Sequence, residues 1–242
     1  MQVYIYKNEA EVARAASMVF ASEILKKPDC VIGLATGSTP VPTYQQLIQL
    51  NKDGMIDFSQ VRSFNLDEYV GLPEEHPCSY RYFMNEQLFN HINIDINNTH
   101  VPSGVAENLN AAAAAYDTAI HEAGGIDLQL LGIGRNGHIG FNEPNTKFIY
   151  PTNVIDLTDD TIDANKRFFN SIDEVPRQAI SMGVGTIMSA KRVILLATGA
   201  NKADAVARAV QGEVEPSMIA SILRMHPNCQ FLVDEAAASK LK

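Results

Sequence analysis

Val31-Ile32-Gly33-Leu34-Ala35-Thr36-Gly37-Ser38-Thr39-Pro40 passes from an unbroken apolar run through a glycine turn into two hydroxyls and a proline. A short apolar run bounded by turn residues reads as a strand buried on both faces. Proline suits the first turn of a helix, where its missing N–H would have had no partner and its φ is already set. The stretch therefore reads strand, turn, helix, and the rest of the chain repeats that order. Residues 3–6 form a candidate first strand ahead of a helix over Glu9–Lys26. Residues 61–66 and 127–133 are strand-like; the first ends at Asp67-Glu68 and the second runs into a loop over 134–144. Residues 193–197 followed by 198–202 restate the pattern, and 231–233 read as a last strand. Leu109–Glu122 reads as a helix, and its alanines at 111–115 fit close packing because Ala is the best helix former.

Strands alternating with helices imply an α/β fold: an open, mostly parallel sheet covered by helices on both faces, Rossmann-like in layout. With no linker rich in Pro, Gly or Ser and no repeat, a single domain over 1–242 is expected. A hydrophobic fraction of 46% with 19% charged residues is ordinary for a globular chain. The net charge of -9 argues against nucleic acid as a partner, because sequence-independent affinity for its backbone comes from Lys and Arg patches. A small anion is not excluded, since a few placed cations and a helix start can hold one phosphate. Cys30, Cys78 and Cys229 are odd in number and far apart, which fits reduced thiols in a reducing compartment. The N-terminal stretch lacks a signal-peptide pattern, and no run approaches the roughly 18 apolar residues of a membrane span. A cytoplasmic protein without a membrane partner is the expectation.

Polar clusters follow several strands, at 36–39, 67–68, 136–143 and 198–202. Ligands of open parallel sheets bind beyond the carboxyl ends of the strands, so these clusters are expected to form one site. Gly37, Ser38 and Thr39 stand at a helix start, where amide groups and the macrodipole favour an anion. The alternative is that the hydroxyls only cap the helix. No Gly-Lys-Ser/Thr follows, so this is not a Walker A loop. Lys202 also falls at a helix start, where a cation costs roughly 0.3–1 kcal/mol. A bound anion would offset that cost; a solvent-screened lysine is the plain alternative.

Asp67 and Glu68 sit at a strand end among apolar and aromatic neighbours, in Ser63-Phe64-Asn65-Leu66-Asp67-Glu68-Tyr69. Desolvation there would raise a carboxylate's pKa and make it a better base. The alternative is a capping Asp beside a solvated Glu. Gly132, Gly134 and Gly137 match a Gly-x-Gly-x-x-Gly pattern, but a dinucleotide turn must open a helix. Pro144 disfavours a helical Glu143, so the glycines read instead as places where backbone approaches a ligand. In that loop His138 could exchange protons near neutral pH with Glu143 orienting its ring, or serve structure alone. The other five histidines, His76, His91, His100, His121 and His226, have no such setting and no metal-ligand spacing. No metal and no cofactor are expected.

Taken together, Thr36-Gly37-Ser38-Thr39-Pro40, Phe64-Asn65-Leu66-Asp67-Glu68-Tyr69, Gly137-His138-Ile139 with Phe141-Asn142-Glu143-Pro144, Arg167-Phe168-Phe169 and Gly183-Val184-Gly185-Thr186 resemble the glucosamine-6-phosphate deaminase family. The motifs keep the family's order over nearly the whole chain. The resemblance implies a cofactor-free hydrolase of amino-sugar and N-acetylglucosamine catabolism, turning glucosamine 6-phosphate and water into fructose 6-phosphate and ammonia. It implies that Asp67 moves a proton between C2 and C1 of the open-chain sugar. His138, oriented by Glu143, would open the pyranose ring. Gly37, Ser38, Thr39, Arg167 and Lys202 would hold the phosphate, with Glu68 and Gly137 as further substrate contacts. A lid around 156–178 would carry Arg167.

Two departures from the family pattern bear on function. Many members have Asp where this chain has Asn136; an amide still hydrogen-bonds the imidazole and fixes its tautomer, so Asn136 is expected to orient the ring without titrating. Allosteric hexameric members carry basic residues where Asn153 and Ile155 stand and extend further than Lys242, so a monomer or small oligomer without that allostery is expected. Two rivals remain. A 6-phosphogluconolactonase shares the fold and phosphate handling, but the Asn-Leu-Asp-Glu-Tyr and Phe-Asn-Glu-Pro stretches favour the deaminase. A non-catalytic sugar-phosphate sensor predicts a fused DNA-binding helix-turn-helix and tolerates lost catalytic residues, whereas Asp67, His138 and Glu143 are all present.

Overall fold

The computed structural model describes residues 1–166, 169 and 171–242. Its first strand β1 (Gln2–Tyr6) leads to α1 (Glu9–Lys26), whose start is capped by the Asn8 side chain accepting from the Glu11 amide. Val12, Ala16, Phe20 and Ile24 recur every four residues along α1, with Ala13, Ser17 and Ala21 beside them, giving one buried stripe. The quoted stretch forms β2 (Val31–Leu34), buried at every position, and then α2 (Val41–Lys52). Next come β3 (Arg62–Asn65), β4 (Asp67–Tyr69), α3 (Tyr80–Gln87) and β5 (Thr99–His100). After α4 (Leu109–Glu122) the chain returns to the sheet centre as β6 (Leu128–Gly132). It leaves again through β7 (Asn153–Asp156), α5 (Asp159–Asn165) and β8 (Gln178–Ser181). The last elements are α6 (Val184–Met188), β9 (Val193–Ala197), α7 (Ala203–Gln211), β10 (Cys229–Asp234) and α8 (Glu235–Ala238).

Seven strands form one sheet in the order β1-β10-β9-β6-β2-β3-β5, and every pairing in it is parallel. Helices flank this sheet, as the alternating pattern implies. From β2 the chain steps outward to β3 and β5, then crosses back to β6 and proceeds the other way. The direction of travel therefore reverses between β2 and β6, and such a switch leaves a crevice beyond the strands' carboxyl ends. α4 fixes one side of that crevice: Tyr116 donates its hydroxyl to the Asn65 carbonyl at 2.8 Å and the His100 carbonyl at 3.1 Å.

A second sheet, β4-β8-β7, is antiparallel and was not expected from the sequence. Leu66 still bonds to the Leu34 carbonyl, but Asp67 pairs with Ser181 across to β8. A three-residue strand reading Asp-Glu-Tyr offers no alternation of apolar and polar residues, so its pattern is mute. Asp117 on α4 anchors this sheet by accepting from the Thr152 amide at 2.8 Å and the Thr186 hydroxyl at 2.8 Å. The Gly183-Val184-Gly185-Thr186 motif thus serves to lock the entry to β7. No helix among the described residues is long and apolar enough to cross a membrane.

Candidate active site

A cavity of about 780 Å³ opens at the switch point, walled by the turns after β2 and β6, the start of β4, segments of α3 and α5, and the residue that precedes α7. From the turn after β2 come Thr36, Gly37, Ser38, Thr39 and Pro40. Pro40 occupies the position before α2, and no side chain caps that helix. The capping alternative for Ser38 and Thr39 is therefore not what this turn adopts. Its hydroxyls line the cavity at a helix start, where the macrodipole favours negative charge. Lys202 stands directly before α7, and its Nζ donates to the Ile133 carbonyl at 2.6 Å on the cavity wall. Asp234 holds the preceding turn, accepting the Gly199 amide at 3.0 Å while it caps α8 through the Ala237 amide at 2.7 Å. Arg167 lies outside the described residues.

The loop after β6 folds back on itself, with the Gly134 amide donating to the His138 carbonyl at 2.9 Å. A Cβ on Gly134 would stand 2.2 Å from the His138 ring, so only glycine lets the imidazole lie against this backbone. His138 Nδ1 is 3.5 Å from Glu143 Oε2, an ion-pair distance longer than a well-formed hydrogen bond. Asn136 donates to the same oxygen at 2.7 Å and accepts the His138 amide at 3.2 Å. The Thr161 hydroxyl donates to the other oxygen of Glu143. Burial raises the Glu143 pKa, but the neighbouring His138 ring and hydrogen bonds from Thr161 and Asn136 outweigh it and hold the carboxyl down to about 2. Glu143 is thus a fixed anion behind the ring.

Asp67 is only 6% exposed, and the part it shows faces the cavity. Burial, with the neighbouring Glu68 adding like-charge repulsion, pushes its pKa up to about 8. Gly140 closes over it: with φ of +57°, a Cβ there would lie 3.1 Å from Ser181 Oγ and 3.4 Å from Asp67 Oδ2. The desolvation anticipated from the apolar neighbours of Asp67 is present.

Glu68 and Gly137 occupy different places from those expected of substrate contacts. Successive residues of a strand face opposite ways, so Glu68 turns from the cavity. It accepts the amides of Tyr69 and Tyr80 at 2.8 Å and of Arg81 at 3.0 Å, anchoring the start of α3. Gly137 gives its carbonyl to the Ala220 amide at 2.9 Å and presents its α-carbon to Met218, outside the cavity wall.

Sequence reading missed the aromatic side of the cavity. Tyr69 and Tyr80 have ring centroids 4.8 Å apart, Tyr80 stacks on Phe141 at 5.9 Å, and Phe169 meets Tyr69 edge-on at 5.8 Å. These residues are scattered over a hundred positions, and only tertiary folding assembles them. Thr161, Asn165 and Phe169 bring the segment expected to act as a lid onto the cavity wall. Thr161 was also unforeseen, because a threonine in a polar helix carries no distinguishing signal.

Comparison with known proteins bears on this arrangement. A family model described as glucosamine-6-phosphate isomerases/6-phosphogluconolactonase matches residues 7–230. The chain is 57% identical over 241 residues to a glucosamine-6-phosphate deaminase of Shewanella woodyi, covering all of this chain and 91% of that one. It is 51% identical over 241 residues to the deaminase of Halothermothrix orenii, covering both chains fully. Among solved structures, a monomeric glucosamine-6-phosphate deaminase superposes with a TM-score of 0.97 at 43% identity, over 99% of this chain and 100% of that one.

Proposed function

The chain belongs to the glucosamine-6-phosphate isomerase and 6-phosphogluconolactonase family, and we propose that its switch-point cavity carries out the deaminase chemistry through the residues described above. The protein converts glucosamine 6-phosphate and water to fructose 6-phosphate and ammonia. The observation that supports assigning the steps is one buried carboxylate, Asp67, sharing a cavity with a histidine backed by a fixed anion. The turn at Gly37, Ser38 and Thr39 receives the phosphate, with Lys202 and Arg167 supplying positive charge. His138 moves the proton that opens the pyranose ring, while Glu143 and Asn136 hold its imidazole in register. Asp67 then takes the proton from C2 and returns it to C1, leaving an imine at C2. Water adds to that imine and ammonia departs, so nitrogen leaves and the carbonyl oxygen comes from water.

A base with a pKa of about 8 holds its proton at neutral pH before substrate arrives. The C2 ammonium of the substrate, arriving beside it, favours the ionised form. That pairing fits an amino sugar better than a lactone, which brings no cation. Asn153 and Ile155 place no positive charge at the effector positions of the hexameric members, which supports a monomeric, non-allosteric enzyme. Offering glucosamine 6-phosphate and 6-phosphogluconolactone in parallel tests the reading. Ammonia from the first with little lactone hydrolysis is expected; the reverse preference would remove the deaminase assignment.

A further inference from the structure

Glu143 is held at both oxygens, and the two holds come from distant parts of the chain. Asn136, seven residues away in the same loop, takes Oε2 at 2.7 Å, the oxygen that also faces His138. Oε1 is taken by Thr161, which is 5% exposed and sits near the start of α5. Thr158, the cap of α5, accepts the Thr161 amide at 3.3 Å and donates its hydroxyl to Thr161 Oγ1 at 3.2 Å. That donation commits the Thr161 proton to the carboxylate. A chain of hydrogen bonds therefore runs Thr158, Thr161, Glu143, and ends 3.5 Å short of the imidazole.

We propose that Thr161 is a positioning residue for ring opening: presented by α5, it sets the rotation of the Glu143 carboxylate and through it the aim of His138. The inference rests on the deaminase reading above. A carboxylate pinned at one oxygen can swing about its terminal bond; pinned at two it cannot. Since Oε2 already serves Asn136, a small rotation moves the oxygen that the ring must meet. Through this bond the seat of α5 becomes a condition for the His138 and Glu143 geometry, and Asn165 of the same helix lines the cavity. The low pKa of Glu143 is consistent with this, since the Thr161 hydroxyl is among the bonds that hold it down.

Thr161→Val keeps the shape and removes the hydroxyl, whereas Thr161→Ser keeps the hydroxyl and removes a methyl. Valine is expected to lower kcat by between about tenfold and a hundredfold, with KM for glucosamine 6-phosphate changing much less, as misplacement of a catalytic group does. Serine is expected to stay within about threefold of wild type, because the donor remains. In a Glu143→Gln background the valine substitution should cost little more, since the partner it positions has already been altered. Equal losses in the valine and serine variants would overturn the proposal, as would a full valine loss in the Glu143→Gln background or no loss at all. Hydrogen exchange at the α5 amides, read on the whole protein without substrate, guards against an unfolded variant. Faster exchange confined to α5 in Thr161→Val and in Glu143→Gln supports the contact, and global loss of protection or none contradicts it. A wild-type protein that makes no product overturns the deaminase reading and the role in ring opening together, while the exchange result still reports the contact.

Discussion

At the scale of single residues, proton affinity separates the two working carboxylates. Asp67 moves from an ordinary 3.8 up to about 8 and Glu143 from 4.5 down to about 2, although burial pushes both upward. What differs is company: Glu143 receives donors, whereas Asp67 meets desolvation and the like charge of Glu68. Because the folded protein binds the Asp67 proton more tightly than the unfolded chain does, that stability is complete below about 3.8 and is lost as pH rises through about 8. Asp67→Asn should therefore raise the melting temperature at pH 9 by roughly 10 °C or more beyond its effect at pH 4. Thermal melts at the two values check this, and a pH-independent difference contradicts it. Catalysis carries the complementary sign: kcat/KM should fall about tenfold per unit of pH below 8. Asn136→Ala removes the donor to Glu143 and the acceptor for the His138 amide, and turnover should fall by about tenfold or more. Unchanged ring-opening kinetics would dismiss the role of Asn136. At this scale Asp67 and His138 were legible because their types and neighbours state a chemistry. Glu68 was not, since its neighbours in sequence do not disclose that it faces the start of α3.

Among elements, two helix starts converge on the cavity, and they are held differently. α2 begins without a side-chain cap, behind the Gly37 to Thr39 turn. α7 begins just after Lys202, and the turn before it hangs on Asp234, which also caps α8. Asp234→Ala should cost about 1–2 kcal/mol of stability, the loss of a cap and of a half-buried amide's partner. It should also raise KM severalfold by loosening the turn that delivers Lys202. Denaturant melts and initial rates read both effects, and a lost cap without a change in KM would detach Asp234 from the site. The long apolar strands and the alanine-rich α4 were readable because burial on both faces, or a strong propensity, leaves its pattern in neighbouring residues. β4 and α3 were not, being short segments placed by partners outside themselves, Ser181 far along the chain for β4 and Glu68 for α3.

For the whole molecule, alternation of strand and helix predicts a parallel sheet but says nothing of its order. That β1 and β10 pair at one edge follows from contacts across almost the entire chain, Gln2 with Gln230 and Tyr6 with Asp234. The order matters because it puts the reversal between β2 and β6, and thereby decides which turns share a cavity. The proposed monomer predicts a mass near 26.5 kDa in sedimentation equilibrium and hyperbolic kinetics unaffected by N-acetylglucosamine 6-phosphate. A sixfold mass with a sigmoidal curve relieved by that ligand would contradict it. On this mechanism Asp67 carries the proton between the two carbons of an amino-sugar phosphate. The most direct test follows ammonia and fructose 6-phosphate together from glucosamine 6-phosphate at pH 8, for the wild type and Asp67→Asn. Equal amounts of both products, lost in the variant while the sugar phosphate still binds, is the result predicted; an Asp67→Asn enzyme that keeps its turnover would contradict the account.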